Sequence, residues 1–331
     1  MNFVFQAPTP LDYFAVLVQE HTQGASPSGR LPLLEAAVCL GQDEYPRLDV
    51  QQVLAEVDAL LARVRARLPA DASALHKLRM LNHFFFEELG FAGNRNHYHD
   101  PDNSYLHRVL ERRRGIPVSL AVLWLELAQG LGLEAQGVGF PGHFLVKVQV
   151  PTPAGQTSRE AKPLAQVVID PFSGESLSRE ELLERLDTWR SSAAGDLPHS
   201  QVANDAAADF SLAWHLRTLP PRDILARMLR NLKEIHRGQR DWQRMVAVED
   251  RLLVLLPAAW EEYRDRGLAR AELGHVPSAL SDLETYLARV EHGAGEDWEQ
   301  KTGERNPPSA AALAERQALT ARVAALRRAM G

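Results

Sequence analysis

The chain has 331 residues, of which 45% are hydrophobic and 24% charged, with a formal net charge of −6 and a single cysteine. Such a length suits two domains. The acidic balance argues against bulk attraction to nucleic-acid phosphates or an anionic membrane, and the lone Cys39 excludes an internal disulfide. No apolar run approaches the ~20 residues that span a bilayer. Met1 to Leu11 carries neither the basic residues nor the long apolar core of a secretory signal. The expected location is the cytoplasm.

The first hundred residues predict helices. Pro10 to Glu20 places Leu11, Phe14, Ala15, Leu17 and Val18 at helical spacing, and a Ser/Gly/Pro loop follows at Gly24 to Arg30. Leu33 to Leu40 predicts a short second helix. Val50 to Leu68 predicts a longer one with Val53, Leu54, Val57, Leu60, Leu61 and Val64 on one face, and Ala74 to Leu89 another with Leu75, Leu78, Leu81, Phe85 and Leu89 facing inward, stopped by Gly90. Ser104 to Arg113 is helical, and Pro117 opens the next helix at the position where a missing N–H costs nothing. That helix, to about Gly130, is apolar on nearly all sides, as a buried helix is.

The period then changes. Ala135 to Phe140, His143 to Val150 and Ala165 to Ile169 predict strands, with Pro141-Gly142 as a corner and a polar loop at Pro151 to Pro163. Ser178 and Glu181 form a capping box at the start of another helix. Ser191 to Ala208 is small and polar, and 191–210 reads as a linker. The remainder is helical. Gly267, Gly274, Ala279 and Leu283 fit the 34-residue tetratricopeptide template, with Met245 one period before Ala279 and Pro257 closing the earlier unit. Lys233 departs from that template, standing where the next unit has Gly267. Four helices in two hairpins are expected over 222–290, burying Leu225, Leu229, Leu232, Val246, Leu253, Leu268, Leu280 and Leu283. A last helix covers Ala310 to Met330.

The chemistry-bearing residues lie between Asn94 and Asp170. His143, after Pro-Gly at a strand start, suits a general base, and Asp170 at a strand end suits the group that orients it. Each also has a structural reading, as a core histidine and as the turn residue of D-P-F-S-G. His97, His99, Asp100, Asp102 and His107 crowd one loop without a standard zinc spacing, so no metal and no cofactor are expected. Asp102 or Asn103 suits a helix cap there. Arg112, Arg113 and Arg114 are either a solvated helix end or a contact for an anion. Cys39, between Val38 and Leu40 on an early helix, reads as buried and inert.

The motifs Phe91-Ala92-Gly93-Asn94, Asp100 to Leu106, Arg113-Arg114-Gly115-Ile116-Pro117, Phe140 to Leu145 and Asp170-Pro171-Phe172 resemble the bacterial SirB-like family. The resemblance implies a transglutaminase-like domain followed by tetratricopeptide-like helices. It implies an α+β fold: a helical region 1–115, a papain-like core with a small antiparallel sheet at 116–190, a linker at 191–210 and an all-α domain at 211–331. Active members of such folds hold a cysteine at a helix start, a histidine on one strand and an aspartate on the next. Laying Gly-x-Cys-x-x-x-Ala over Gly115 and Ala121 puts Pro117 in the cysteine position. The nearest hydroxyl is Ser119, which helical rotation turns away.

Three readings follow. The first is a non-catalytic module that binds a peptide or small ligand in a pocket of Asn103, Arg114, Pro117 and His143, with the helical repeats meeting a protein partner. The second is acyl transfer or amide hydrolysis, with Ser119 attacking, His143 as base and Asp170 orienting it. The third is a purely structural scaffold. A hydrogen bond of ~2.6–3.2 Å between His143 and Asp170 is expected of the first two.

Overall fold

The computed structural model describes residues 8–22, 31–151, 164–194, 211–302 and 310–330. It divides into two compact units, one of residues 24–228 and the other of residues 1–23 with 229–331. The expected division at 191–210 therefore moves. Residues 195–210 lie outside the described residues, and 211–228 belong with the sheet.

The central unit begins with α2 (Leu33–Cys39), α3 (Val50–Arg65) and α4 (Ala74–Asn82), α1 being the helix at Pro10–Thr22. Asp49 and Ser73 cap α3 and α4, their side-chain oxygens accepting the Gln52 and His76 N–H groups. A π-helical turn at His83–Glu88 continues α4, and Gly90, at φ 69°, ends it. Cys39 is buried on α2. The short strands β1 (Ala92–Gly93) and β2 (Arg114–Gly115) pair in parallel, with α5 (Leu106–Arg112) between them. Arg113 closes α5 in the left-handed region at φ 57°, a conformation that costs a non-glycine residue strain.

α6 (Pro117–Gly130) is the axis of this unit. Ten of its residues are buried, from Val118 to Ala128, with Trp124 wholly enclosed. It packs against α2, α3, β3 and β4. The sheet order is β3 (Glu134–Val138), β4 (Leu145–Pro151), β5 (Leu164–Ile169), β6 (Ser176–Leu177), antiparallel throughout. β4 is shorter at its start than the sequence pattern suggests. Gly142, at φ 70°, and His143 form the corner before it. α7 (Arg179–Ala194) follows, opened by the predicted Ser178–Glu181 capping box. Residues 211–228 join the sheet edge because Val138 bridges Thr218 and the Leu219 N–H donates to Gly137 O at 2.9 Å.

The second unit is helical: α8 (Pro221–Gln239, entering from the central unit), α9 (Trp242–Leu255), α10 (Trp260–Glu272), α11 (Val276–Thr302) and α12 (Ala310–Met330). α1 belongs here, packed on α9 with Phe14 and Val18 buried, because its apolar stripe needs a partner face. The four helices expected over 222–290 are present. Leu225, Leu229, Leu232, Leu253, Leu280 and Leu283 are buried, but Val246 is half-buried and Leu268 is exposed. Gly267 allows the closest approach of α10 and α11, since an added Cβ would stand 2.8 Å from Leu283.

Buried charge occupies what the apolar pattern leaves. Lys233 Nζ on α8 pairs with Glu249 on α9 at 2.9 Å and with Glu262 and Asp265 on α10, the latter at 2.6 Å. Arg230 joins Glu262, while Arg237 and Arg264 join Asp265. One unit later the pattern recurs. Arg266 holds Asp282, sixteen residues on, and Asp250, with Arg270 bracing both. Lys233 and Glu249 have the same spacing. The tetratricopeptide-like periodicity is thus carried by ion pairs as well as by small residues.

Burial alone would lower the Lys233 pKa, but the surrounding carboxylates outweigh it and raise it. Burial pushes Glu249 up to about 8, against the pull of Lys233 and with the repulsion of Glu262 and Asp265. The folded chain therefore holds this proton more tightly than the unfolded one. The stability that Glu249 contributes is full below its ordinary 4.5 and is lost as pH rises through about 8. Glu249→Gln should flatten the stability profile between about pH 4.5 and pH 8, read as urea midpoints across that range. Gly267→Ala should destabilise the helical unit by about 1–3 kcal/mol in the same assay, because Leu283 must move. An unchanged midpoint would mean that α10 and α11 separate freely.

Candidate functional site

Asn103 sits at the centre of the loop that precedes α5 and is buried. Its amide donates to His97 O at 2.6 Å and Tyr98 O at 3.2 Å, and its side-chain oxygen accepts from Asn94 at 2.9 Å. Its own carbonyl takes the Ile116 N–H at 3.3 Å and the Ser119 hydroxyl at 2.6 Å. One side chain and one carbonyl thus tie the 94–104 loop to the start of α6. Asn103 is committed to backbone groups, as is Arg114, whose guanidinium donates to Gly90 O and Arg113 O. Both side chains hold the loop, Arg114 from an exposed position.

Pro117 is the first residue of α6, and Ser119 lies one turn in, fully buried. The Ser119 Oγ accepts the Ile116 N–H at 3.1 Å, half of a capping box. Its proton goes to Asn103 O, with Ile116 O at 3.0 Å as the other acceptor within reach. This hydroxyl is bonded on both its donor and acceptor sides.

The register that sets Val146 opposite Ile169 brings the start of β4 and the end of β5 to one end of the sheet. His143 precedes β4 there and Asp170 follows β5. The expected hydrogen bond between them is absent among the described residues. Asp170 Oδ1 instead accepts the Phe172 N–H at 2.9 Å, closing an Asx turn, and Oδ2 accepts from Arg185 of α7 at 2.9 Å. A carboxylate engaged in both a turn and an ion pair has little left for an imidazole.

Burial, then the Arg185 charge, holds the His143 pKa below its usual range. Asp170 acts in the opposite sense, and Arg227 adds to the lowering. These surroundings favour the neutral ring. Arg227 donates to His143 O at 2.8 Å and lies over the Phe144 ring. Trp189, 43% exposed, stands beside the corner, its Cδ1 3.8 Å from where a Gly142 Cβ would be. Arg185, Trp189 and Arg227 carry no sequence signal, since helix packing alone brings them to His143.

The aspartates of residues 97–107 form a polar lattice with Tyr45 and two arginines. Tyr45 donates to Asp102, which also pairs with Arg108 at 3.1 Å and Arg112 at 2.5 Å, and Arg112 reaches Asp100 at 3.0 Å. Desolvation and the Asp102 hydrogen bond push the Tyr45 pKa up to about 12. Among the described residues, one acidic group has oxygens converging as metal ligands would: Glu249, Glu262 and Asp265. Lys233 already supplies the cation there.

Comparisons with known proteins agree with this architecture. The transglutaminase-like superfamily matches residues 51–230, and the tetratricopeptide repeat matches residues 232–318. A UPF0162 protein of Xylella fastidiosa is 39% identical over 78% of this chain and 83% of its own length. Protein SirB1 of Salmonella typhimurium is 27% identical over 76% of this chain and 86% of its own. The human F-box only protein 21 is 31% identical over 34% of this chain, which is 22% of that protein. No solved structure matches significantly. No helix among the described residues is long and apolar enough to cross a membrane.

The hydroxyl of Ser119 therefore carries a structural load. Ser119→Ala should cost about 1–3 kcal/mol, because the Ile116 N–H and the Asn103 carbonyl each lose one of two partners. Thermal unfolding followed by circular dichroism measures it. An unchanged transition would show that these bonds contribute nothing net.

Proposed function

The chain belongs to the transglutaminase-like superfamily, and from that premise we propose that it is a non-catalytic member that binds a peptide through the His143 corner. Its helical repeats meet a protein partner. The observation that carries this reading is the start of α6. Proline stands where an active member would place its thiol, and the nearest hydroxyl donates to a backbone carbonyl. A nucleophile needs a base within hydrogen-bond reach, and Ser119 has a carbonyl in that place. The occupation of Asp170 by Arg185 points the same way.

What remains at the corner suits recognition. A neutral imidazole is flanked by two guanidinium groups and an exposed indole. Such a surface favours a peptide bringing an apolar or aromatic side chain and a carboxylate. The tetratricopeptide-like match over 232–318 supports the second surface, since stacked helix hairpins present extended faces to partners.

A fluorophosphonate probe tests the non-catalytic reading. Native protein should leave Ser119 unlabelled, and His143→Ala should not change that. Covalent labelling at Ser119 that disappears in His143→Ala would establish a serine-dependent acyl transferase or hydrolase instead.

A further inference from the structure

The His143 corner holds a cation without a counter-ion. Arg185 is matched by Asp170, whose Oδ2 accepts from it at 2.9 Å. Arg227 of α8 is not matched. Among the described residues no carboxylate pairs with it, and its Nη2 donates to an uncharged group, His143 O, at 2.8 Å. Resting on the reading of this corner as a peptide site, we infer that Arg227 anchors the C-terminal carboxylate of the peptide. The Tyr98 hydroxyl is the second donor, and the Trp189 indole receives the last side chain.

The state of the Arg227 guanidinium is the first support. It is half-buried, lies over the Phe144 ring at 5.7 Å and is fixed at one nitrogen by the His143 carbonyl. Its Nε and Nη1 have no partner among the described residues, and neither is among the polar atoms sealed from solvent. A partly desolvated guanidinium with no anion beside it is costly, and a carboxylate satisfies its planar fork. Burial lowers the Arg227 pKa, and the negative form of Tyr98 is what acts against that. The chain as a whole is acidic, so this leftover positive charge sets the corner apart from its surroundings.

Tyr98 is the second. It is exposed, and its hydroxyl has no partner among the described residues. Its ring stands 6.2 Å from that of Phe172, and its carbonyl accepts from the Asn103 amide at 3.2 Å. The loop held by Asn103 thus places a free phenol within electrostatic range of Arg227.

The spacing of the corner points to a chain end. Arg227 bonds the backbone of His143, the His143 ring nitrogens are unbonded and unsealed, and Trp189 packs 3.8 Å from where a Gly142 Cβ would be. An anion donor, an N–H acceptor and an apolar surface therefore converge on two consecutive residues. The last residue of a peptide carries a carboxylate, an N–H and a side chain on one Cα. An internal acidic residue puts its carboxylate at the end of the side chain, and the apolar group must come from a neighbour.

Isothermal titration of the full chain with three blocked peptides tests the inference. They are acetyl-Gly-Gly-Phe with a free C-terminus, its C-terminal amide, and acetyl-Gly-Asp-Phe amide, whose carboxylate is on a side chain. One molecule of the free acid should bind per chain, about tenfold more tightly than either amide. Arg227→Gln should bring the free acid and its amide to within about twofold of each other, a change of ratio that loss of packing alone does not produce. Tyr98→Phe should lower the preference for the acid about threefold. Trp189→Ala should weaken all three peptides alike. Equal binding of the acid and its amide would overturn the anchor while leaving the corner a peptide site. Binding of the side-chain acid as tightly as the free acid would overturn the assignment to a chain end, and an acid preference that survives Arg227→Gln would overturn the role of Arg227. No saturable binding of any of the three at millimolar concentration would overturn this inference and the peptide reading together. Should Arg227→Gln fail to fold, Tyr98→Phe and the three peptides on the unsubstituted chain still decide.

Discussion

The candidate site depends on Asn103. Nine residues before it, the chain enters a loop with no regular hydrogen-bond ladder, so the loop's polar groups need partners of another kind. Asn103 supplies them through both ends of its amide and through its carbonyl. The same carbonyl receives the Ile116 N–H, which the proline at the next position leaves at the edge of the helix. The loop, the start of α6 and the Ser119 hydroxyl are thereby one connected structure. In a catalytic member a helix start must keep one side chain unbonded and reactive. Here the Ser119 hydroxyl at that start is bonded on both its donor and acceptor sides.

The helical unit solves a different problem in a related way. Lys233, Glu249, Glu262 and Asp265 are almost wholly buried, where isolated charges would be prohibitively costly. The charges on Lys233, Glu262 and Asp265 persist because each has an opposite charge beside it. Burial still leaves its mark, in the proton that Glu249 keeps to about pH 8. Replacing such a cluster with apolar side chains is often neutral or stabilising, so its role is better understood as specificity. The ion pairs fix which helix faces meet, since a slipped register would strand a charge. The Arg266, Asp250, Asp282 and Arg270 set repeats the device one unit later.

Much of the fold was readable in advance, for local reasons. Asp49, Ser73 and Ser178 announce helix starts because a short polar side chain can cap only the N–H groups next to it. The uniformly apolar α6 announces a buried axis, and the alternation after Leu133 announces the sheet. Leu268 misled because apolar residues at helical spacing do not reveal which side of the stripe is covered. Arg113 ends its helix where predicted, but in the left-handed region that glycine usually occupies. The placement of α1 against α9 rested on matching two apolar faces more than two hundred residues apart, and no local pattern encodes that.

The sequence by itself determined the family, the element order and the absence of a cysteine at the helix start, because these are properties of residue type and local spacing. It also brought His143 and Asp170 to neighbouring strand ends. Only the tertiary structure decided what those residues bond to. Arg185 reaches Asp170 from a helix that follows it, and Arg227 reaches His143 from one 84 residues on. The hydrogen-bond capacity of a carboxylate or a hydroxyl is finite, and long-range packing chooses who uses it. That choice decides the partners of Ser119, His143 and Asp170.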